Sequence, residues 1–225
     1  MKVAVMRIAG VDDAGRGAVI GPLVIAGVLI EDDVLSSLRD SGVKDSKLLS
    51  PEKREYLATE IEKIAVEWHV ERLSPEEIDE VVRTGRKLHR LNRLEAQTMA
   101  KVIEALKPDL AYVDASDVLA DRFGRHIAEE LPFKVEIVSE HKADAKYPVV
   151  SAASIIAKVE RDRAIFRLQQ KYGDFGCGYP SDPKTLEFLE EWIREFKCYP
   201  DFVRKSWKPA KRLKSEAKSK QIRLA

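Results

Sequence analysis

The sequence predicts an α/β or α+β fold in which helices cover the faces of a sheet. Two apolar segments near the start of the chain, Val3–Val11 and Val19–Ile30, have the length and continuous hydrophobicity of buried strands. Farther along, segments with helical periodicity alternate with short apolar segments, as at Asn92–Leu106 and Leu110–Asp114. With 225 residues and 44% hydrophobic content, the chain can bury one large core.

The predicted elements follow from local signals in chain order. The first two strands are expected to form a hairpin, with Asp12, Asp13 and Gly15–Gly17 in its turn. Ser50 and Pro51 predict the N-cap and first residue of a helix. Further helices are predicted from Ser74, at Asn92–Leu106, Val118–Leu131, Tyr147–Tyr172, Thr185–Phe196 and from Val203 to about Ala217. Further strands are predicted at Val66–Leu73, Leu110–Asp114 and Lys134–Val138.

The composition excludes several classes of protein. The longest apolar run, Ala18–Ile30, is too short to span a bilayer, and Arg7 interrupts any signal-peptide pattern. Two cysteines suit a reducing compartment and form neither a disulfide framework nor a zinc motif. We therefore expect a cytoplasmic protein that does not associate with membranes.

Charge is distributed unevenly along the chain. The formal net charge is +1, but Arg204–Ala225 contains nine Lys or Arg and one acid, about +8, which leaves about −7 elsewhere. A basic tail on an acidic body favours a polyanionic partner that binds by counterion release. The alternative is a solvated tail without a binding role.

Four aspartates have a context typical of a metal site. Asp12 and Asp13 end one predicted strand, Asp114 ends another, and Asp144 precedes the longest predicted helix. Acids at strand ends point into the crevice where open sheets bind ligands, and Mg²⁺ or Mn²⁺ prefers such oxygen ligands. Two such ions could drive an in-line phosphodiester displacement. Any one of these aspartates alone would be interpreted as a cap or turn residue.

The segment Gly15-Arg16-Gly17 suggests a contact with an anionic ligand, because glycines let the backbone approach a phosphate closely. An ordinary solvated turn is the alternative. Lys47 and Lys158 are candidate phosphate contacts, although lysines are commonly solvated surface groups. Ser46 could donate to a phosphate or cap a turn.

Seven motifs in order resemble ribonuclease HII of the archaeal type, over about residues 8–210. They are Asp12–Gly17, Lys44–Lys47, Tyr112–Asp114, His141–Asp144, Ser151–Asp162, Gly178–Pro183 and Val203–Lys208. The resemblance implies an RNase H-like mixed sheet flanked by helices, with a C-terminal helical extension. We accordingly expect a catalytic domain over 1–183 and a helical segment with the basic tail over 184–225.

The resemblance also implies an activity and roles for particular residues. The activity is a Mg²⁺- or Mn²⁺-dependent endonuclease that cuts the RNA strand of RNA–DNA hybrids. It also nicks duplex DNA 5′ to embedded ribonucleotides, leaving 3′-OH and 5′-phosphate ends. Asp12, Asp13, Asp114 and Asp144 match the family's metal-binding acids. Gly15, Arg16 and Gly17 match its contact with the 2′-OH and adjacent phosphates, and Tyr179 matches the tyrosine that packs on the sugar.

Two positions depart from the family pattern, which has Glu at position 13 and Pro at position 18. Asp13 is one methylene shorter than Glu, so its carboxylate is pulled back by roughly 1.5 Å or less. We expect Asp13 to reach a metal through water or a backbone shift, with reduced activity or a preference for Mn²⁺. Ala18 is expected only to loosen the turn.

Two other functions remain open at this point. One is another two-metal nuclease of the same superfold, such as a resolvase or integrase. The other is a catalytically impaired protein that binds hybrids without cutting them. We expect a monomer without a clear sliding-clamp motif, because Gln221–Ala225 contains no aromatic residue.

Overall fold

The computed structural model describes residues 5–40, 42–43, 49–84 and 90–222. The described residues fall into two compact units. Those within Met1–Ala14, Val24–Arg72 and Lys87–Glu160 form the first, and those within Gly15–Leu23, Leu73–Arg86 and Arg161–Ala225 form the second. The predicted division at residue 183 stays a prediction. Within the described part of the chain, no helix is both long and apolar enough to cross a membrane.

The described residues contain five strands and nine α-helices. The strands are β1 (Arg7–Ala14), β2 (Leu23–Glu31), β3 (Glu67–Leu73), β4 (Leu110–Asp114) and β5 (Glu136–Glu140). The helices are α1 (Leu35–Asp40), α2 (Pro51–Ile64), α3 (Pro75–Thr84), α4 (Arg90–Leu106), α5 (Ala120–Glu130), α6 (Ala143–Lys146), α7 (Pro148–Tyr172), α8 (Pro183–Phe196) and α9 (Lys208–Ile222).

The strands form one mixed sheet in the order β3-β2-β1-β4-β5, which confirms the predicted fold class. β1 pairs antiparallel with β2, as expected for a hairpin, and Asp12 lies opposite Ala26 in this ladder. β4 runs parallel to β1 and to β5. The central strand β1 therefore ends beside β4, which runs in the same direction.

Both faces of the sheet are covered, because side chains alternate along buried strands. Ile8 and Val28 face a core built with α2 and α7, whereas Val11 and Leu29 face a second core built with α4 and α5. Burial on both faces explains why β1 and β2 are continuous apolar runs in the sequence.

The second unit is built around an aromatic core. Phe175 is buried, and its ring lies 5.3 Å from Phe188 and 6.1 Å from Phe202, measured between ring centroids. The side chain of Asp182 caps α8 by accepting from the backbone N–H of Lys184 at 3.1 Å. The helix thus begins at Pro183, two residues earlier than predicted.

Among the predicted boundaries that were wrong, three concern the acids, the start of β2 and the start of the last helix. β1 continues through Asp12 and Asp13, because its ladder with β2 extends to Ala14, so the acids lie in the strand and not in the turn. Val19 and Ile20 precede β2, and Ile20 forms an isolated antiparallel bridge with Val203. Val203 therefore lies in a bridge and not in the predicted helix, which begins only at Lys208.

Gly10 allows the backbone of α7 to lie directly on β1. A Cβ at this position would come within 2.3 Å of the carbonyl carbon of Val149 and 2.5 Å of the backbone nitrogen of Val150. Both atoms belong to the backbone, so a larger residue requires the helix to move away from the strand.

We expect Gly10→Ala to lower the free energy of unfolding by about 3 kcal/mol, because a methyl group overpacks a helix–sheet contact. Gly17→Ala is the control, since a Cβ there would find its nearest atom, a ring carbon of Tyr179, at 3.9 Å. We expect a change within about 1 kcal/mol for this control. Urea denaturation measures both. Equal effects of the two substitutions would contradict the proposed close packing at Gly10.

Candidate active site

Asp12 is a buried acid near the end of β1, with 5% of its surface exposed. Alternation along β1 places it on the same face as Ile8, which is the face covered by α7. The Ser154 hydroxyl of α7 donates to its carboxylate, and so does the backbone N–H of Asp13, at 2.7 Å. Two hydrogen-bond donors, one on α7 and one on β1, thus fix this carboxylate at the sheet surface.

Asp114 ends β4 beside Asp12. The parallel register pairs Val11 with Val113, so the next residues along the two strands are Asp12 and Asp114. The backbone N–H of Ala143 donates to Oδ1 of Asp114 at 2.9 Å. This contact ties the start of α6 to the end of β4.

Asp13 follows Asp12 in the same strand, so its side chain starts from the opposite face of the sheet. It is half-buried, and its Oδ1 accepts from the hydroxyl of Ser116, just after β4, at 3.3 Å. Asp144 lies in α6, directly after Ala143, and is 6% exposed. Ala143 donates a hydrogen bond to Asp114, and Asp144 is the next residue in the chain. Asp144 is therefore held near the end of β4.

The electrostatics of the cluster are unfavourable without a cation. Burial, together with the charges of Asp13 and Asp114, raises the pKa of the Asp12 carboxyl well above its usual value. The hydrogen bonds from Ser154 and the Asp13 backbone lower this pKa and offset part of the effect. A bound cation would offset the remaining repulsion, because an opposite charge favours the ionised form.

The chemistry of the donor set fits a divalent ion. The side chains are hard oxygen donors, and Mg²⁺ and Mn²⁺ prefer carboxylates and retain waters. Among the described side chains, no three Asp, Glu, His or Cys are already arranged around one point as the ligands of a metal ion. The fit rests on the number of carboxylates, the strand register and the raised pKa of Asp12.

Of the candidate phosphate contacts Ser46, Lys47 and Lys158, only Lys158 belongs to the described part of the chain. It is half-buried in α7, one helical turn beyond Ser154, so both residues lie on the same helix face. The predicted contacts Ser46 and Lys47 lie outside the described residues.

In the second unit, Gly15 occupies a turn that only glycine can form. Its φ is +92°, and a Cβ would lie 2.5 Å from Nε of Arg161 and 2.7 Å from the carbonyl oxygen of Pro22. The carbonyl of Gly15 accepts from the N–H of Ala18 at 3.2 Å, which closes the turn around Arg16 and Gly17. The predicted glycine-rich turn is therefore a tightly packed structure.

Tyr179 lies against this turn within the second unit. A Cβ on Gly17 would be 3.9 Å from its ring, so glycine leaves room beside the tyrosine. The guanidinium of Arg161 is 4.5 Å from the centre of the Tyr179 ring and also donates to the carbonyl of Cys177 at 2.9 Å. Arg161 is only 4% exposed, and this stacking fixes the orientation of the ring.

Arg204 supports the same turn from the C-terminal part of the chain. Its side chain is fully buried and donates to the carbonyl of Arg16 at 2.9 Å and to the carbonyl of Gly21 at 3.1 and 3.2 Å. The guanidinium also lies 5.1 Å from the Trp207 ring. One arginine therefore satisfies the carbonyl groups at both ends of the loop from Arg16 to Gly21.

Sequence reasoning did not assign roles to four residues of these two clusters. They are Ser116 and Ser154 near the acids, and Arg161 and Arg204 near the turn. A role for Ser154 could have been predicted, because it lies one helical turn before the candidate phosphate contact Lys158 and therefore on the same helix face. The arginines carried no such signal, since charged residues are usually exposed.

A mixed sheet with carboxylates gathered at neighbouring strand ends is typical of enzymes that hydrolyse phosphodiesters with divalent ions. The family model for ribonuclease HII matches residues 9–210. Ribonuclease HII of Pyrococcus abyssi is 48% identical over 221 residues, which cover 97% of this chain and 96% of the relative. The chain belongs to the ribonuclease HII family and is a ribonuclease H of type HII, a hydrolase.

Solved structures support the same assignment. The ribonuclease H2 of Pyrococcus horikoshii superposes with a TM-score of 0.87 at 46% identity, covering 95% of this chain and 99% of that one. The ribonuclease HII of Archaeoglobus fulgidus, solved as a complex with PCNA, gives a TM-score of 0.83 at 49% identity. That match covers 92% of this chain and 96% of the other. The implied RNase H-like fold is thereby confirmed.

We expect Arg204→Lys to lower the free energy of unfolding by about 2–4 kcal/mol, because one ammonium cannot replace the forked donors to two carbonyl groups. The matched control is Arg212→Lys, since Arg212 is mostly exposed in α9 and forms only a 3.8 Å pair with Glu216. We expect a change within about 0.5 kcal/mol for the control. Chemical denaturation distinguishes them. Equal stability of the two variants would exclude a structural role for the Arg204 hydrogen bonds.

Proposed function

We propose that this ribonuclease nicks duplex DNA on the 5′ side of embedded ribonucleotides and cuts the RNA strand of RNA–DNA hybrids, with Mg²⁺ or Mn²⁺. The products would carry 3′-OH and 5′-phosphate ends. We base this proposal on the proximity of Asp13 and Asp114 to the buried Asp12, because burial and the repulsion from these two charges raise the pKa of Asp12. Such a cluster is costly in a folded protein unless it binds a cation.

The four acids would hold the ions. Asp12 and Asp114 present carboxylates from adjacent parallel strands, Asp13 adds one from the other face of β1, and Asp144 completes the set from α6. When bound, divalent ions would activate a water and stabilise the leaving oxygen of an in-line displacement. Ser154 keeps the Asp12 carboxylate oriented through its hydrogen bond.

The turn at Gly15–Gly17 and the ring of Tyr179 would recognise the ribonucleotide. The 2′-OH distinguishes RNA from DNA at one nucleotide, and backbone groups can read it without contacting a base. Arg204 holds the Arg16 carbonyl and Arg161 holds the Tyr179 ring, so both surfaces are ordered before substrate arrives. We therefore expect little dependence on base sequence.

Phosphate contacts are assigned to Lys158, with Ser46, Lys47 and Arg16 as further contacts. Lys158 lies on the helix face that carries Ser154, which contacts Asp12. The A. fulgidus relative was solved with PCNA. We assign no clamp contact to Gln221–Ala225, because this segment contains no aromatic residue. We also propose that the enzyme acts as a monomer.

The test is cleavage of a labelled DNA duplex that contains one ribonucleotide, with Mg²⁺, with Mn²⁺ and with chelator. We expect a metal-dependent nick 5′ to the ribonucleotide, no cut in the all-DNA duplex, and extension of the new 3′ end by a polymerase. Asp12→Asn is the matched control, because it keeps the shape of the side chain and removes its charge; we expect at least a 100-fold loss of rate. Cutting of the all-DNA duplex would favour another two-metal nuclease.

A hybrid-binding protein with impaired catalysis is the second candidate, favoured by Asp13, where the family pattern has Glu. The side chain of Asp13 is engaged by Ser116, which holds the shorter carboxylate near the strand. We expect Asp13→Glu to raise the single-turnover cleavage rate with Mg²⁺ by about tenfold, because the longer side chain brings the carboxylate closer to an ion.

Single-turnover rates of Asp13→Glu in Mg²⁺ and in Mn²⁺ measure this effect. Asp13→Asn is the control for charge and should lose activity in both ions. An unchanged rate in Asp13→Glu would mean that this position does not limit catalysis. Tight binding of the duplex without a nick in either protein would establish the binding-only function.

A further inference from the structure

Two large apolar side chains are exposed on the segment between β4 and α5. Val118 is 85% exposed and Leu119 is 56% exposed, while most other aliphatic residues of the first unit are buried. The pair lies four and five residues after Asp114. Together they form a small exposed apolar surface, two and three residues beyond Ser116, whose hydroxyl contacts Asp13.

The segment is held in a fixed shape by polar contacts. Asp117 is 1% exposed and accepts from the backbone N–H of Leu119 at 3.1 Å and from Nε of Arg122 at 3.1 Å. The ring nitrogens of His141 lie 3.3 Å from the carbonyl oxygen of Ala115 and 3.2 Å from that of Val118. The apolar side chains are therefore displayed by an ordered backbone.

The same segment contacts Asp13, one of the proposed catalytic acids. Ser116 donates to Asp13, and the N–H of Ala115 continues the β4–β5 ladder by donating to the carbonyl of Glu140 at 2.9 Å. Three residues separate Asp114 from Val118, so their Cα atoms lie within about 14 Å of each other even in a fully extended chain. A duplex bound over the acids is wide enough to extend over this segment. Residues 115–119 contain one acid and no Lys or Arg, which disfavours a contact with phosphate.

We propose that Val118 and Leu119 form an apolar subsite that packs against the sugars in the minor groove of the bound duplex. This inference rests on the proposed function, because the duplex must lie over the acids. Apolar side chains commonly contact the minor groove in nucleic-acid-binding proteins, where sugar faces are accessible without base-specific hydrogen bonds. The subsite would strengthen substrate binding without adding sequence preference or salt dependence.

The test compares Val118→Ser/Leu119→Ser with the wild type on the duplex that contains one ribonucleotide. We expect KM to rise about tenfold with kcat unchanged, since burial of two aliphatic side chains is lost in substrate binding. We also expect Kd, measured by fluorescence anisotropy in chelator, to rise by a similar factor. The slope of log Kd against log salt concentration should stay the same, because no phosphate contact is removed.

The matched control is Val66→Ser, which removes a side chain that is 51% exposed beside β3, at the other edge of the sheet. We expect its KM and Kd to equal those of the wild type. The conservative double variant Val118→Ile/Leu119→Met should have the KM of the wild type, because it keeps an apolar surface. An unchanged KM in the serine variant, or a KM change accompanied by a smaller salt slope, would overturn the subsite.

The outcomes also separate this inference from the proposed function. A wild-type chain that binds the duplex but does not nick it overturns the proposed reaction, and the anisotropy comparison still decides the subsite. A wild-type chain that neither binds nor nicks overturns both. If sedimentation shows a wild-type dimer that the serine variant loses, a second copy of the chain covers the patch and the subsite is wrong.

Discussion

Burial of the Asp12 carboxylate beside two other carboxylates is the constraint on which this structure depends. Burial and the charges of Asp13 and Asp114 raise the pKa of Asp12, so the ionised cluster opposes folding at neutral pH in the absence of a cation. The cores on both faces of the sheet must supply the stability that offsets this cost. The site is therefore a place where function is gained at the expense of stability.

Close packing of α7 makes the arrangement possible. The absence of a side chain at Gly10 lets the helix backbone rest on β1, and the start of α7 presents small residues such as Ser151, Ala152 and Ala153. This approach brings the Ser154 hydroxyl to Asp12. A bulkier helix face would move that donor away and leave the carboxylate with one fewer compensating hydrogen bond.

The second unit shows how a glycine turn can be rigid. Glycine at position 15 is required because its φ is positive and because Arg161 and Pro22 occupy the space of a Cβ. The buried Arg204 then holds the carbonyl of Arg16, so the backbone is fixed by side chains distant in sequence. Preorganisation of this kind lowers the entropic cost of binding a substrate.

The sequence predicted a sheet covered by helices, both hairpin strands and acids at strand ends, because these follow from hydrophobic patterns. The mixed sheet was implied by the resemblance to ribonuclease HII, and the parallel register that places the two strand ends side by side came from the structure. The sequence did not predict that Asp12 and Asp13 lie within β1, since Asp has low strand propensity and only the ladder with β2 extends the strand. Arg161 and Arg204 were missed because their burial depends on tertiary contacts that no local pattern contains. The contacts predicted for Ser46 and Lys47 lie outside the described residues.

The most direct measurement is Mn²⁺ binding by titration calorimetry at pH 8, without nucleic acid, alongside the stability of the metal-free protein and its Asp12→Asn variant. Because the folded-state pKa of Asp12 is raised, its ionised form destabilises the fold as the pH rises through that pKa. We expect Asp12→Asn to abolish Mn²⁺ binding and to make the metal-free protein more stable at pH 8. Unchanged Mn²⁺ binding, or a variant less stable than the wild type, would contradict this expectation.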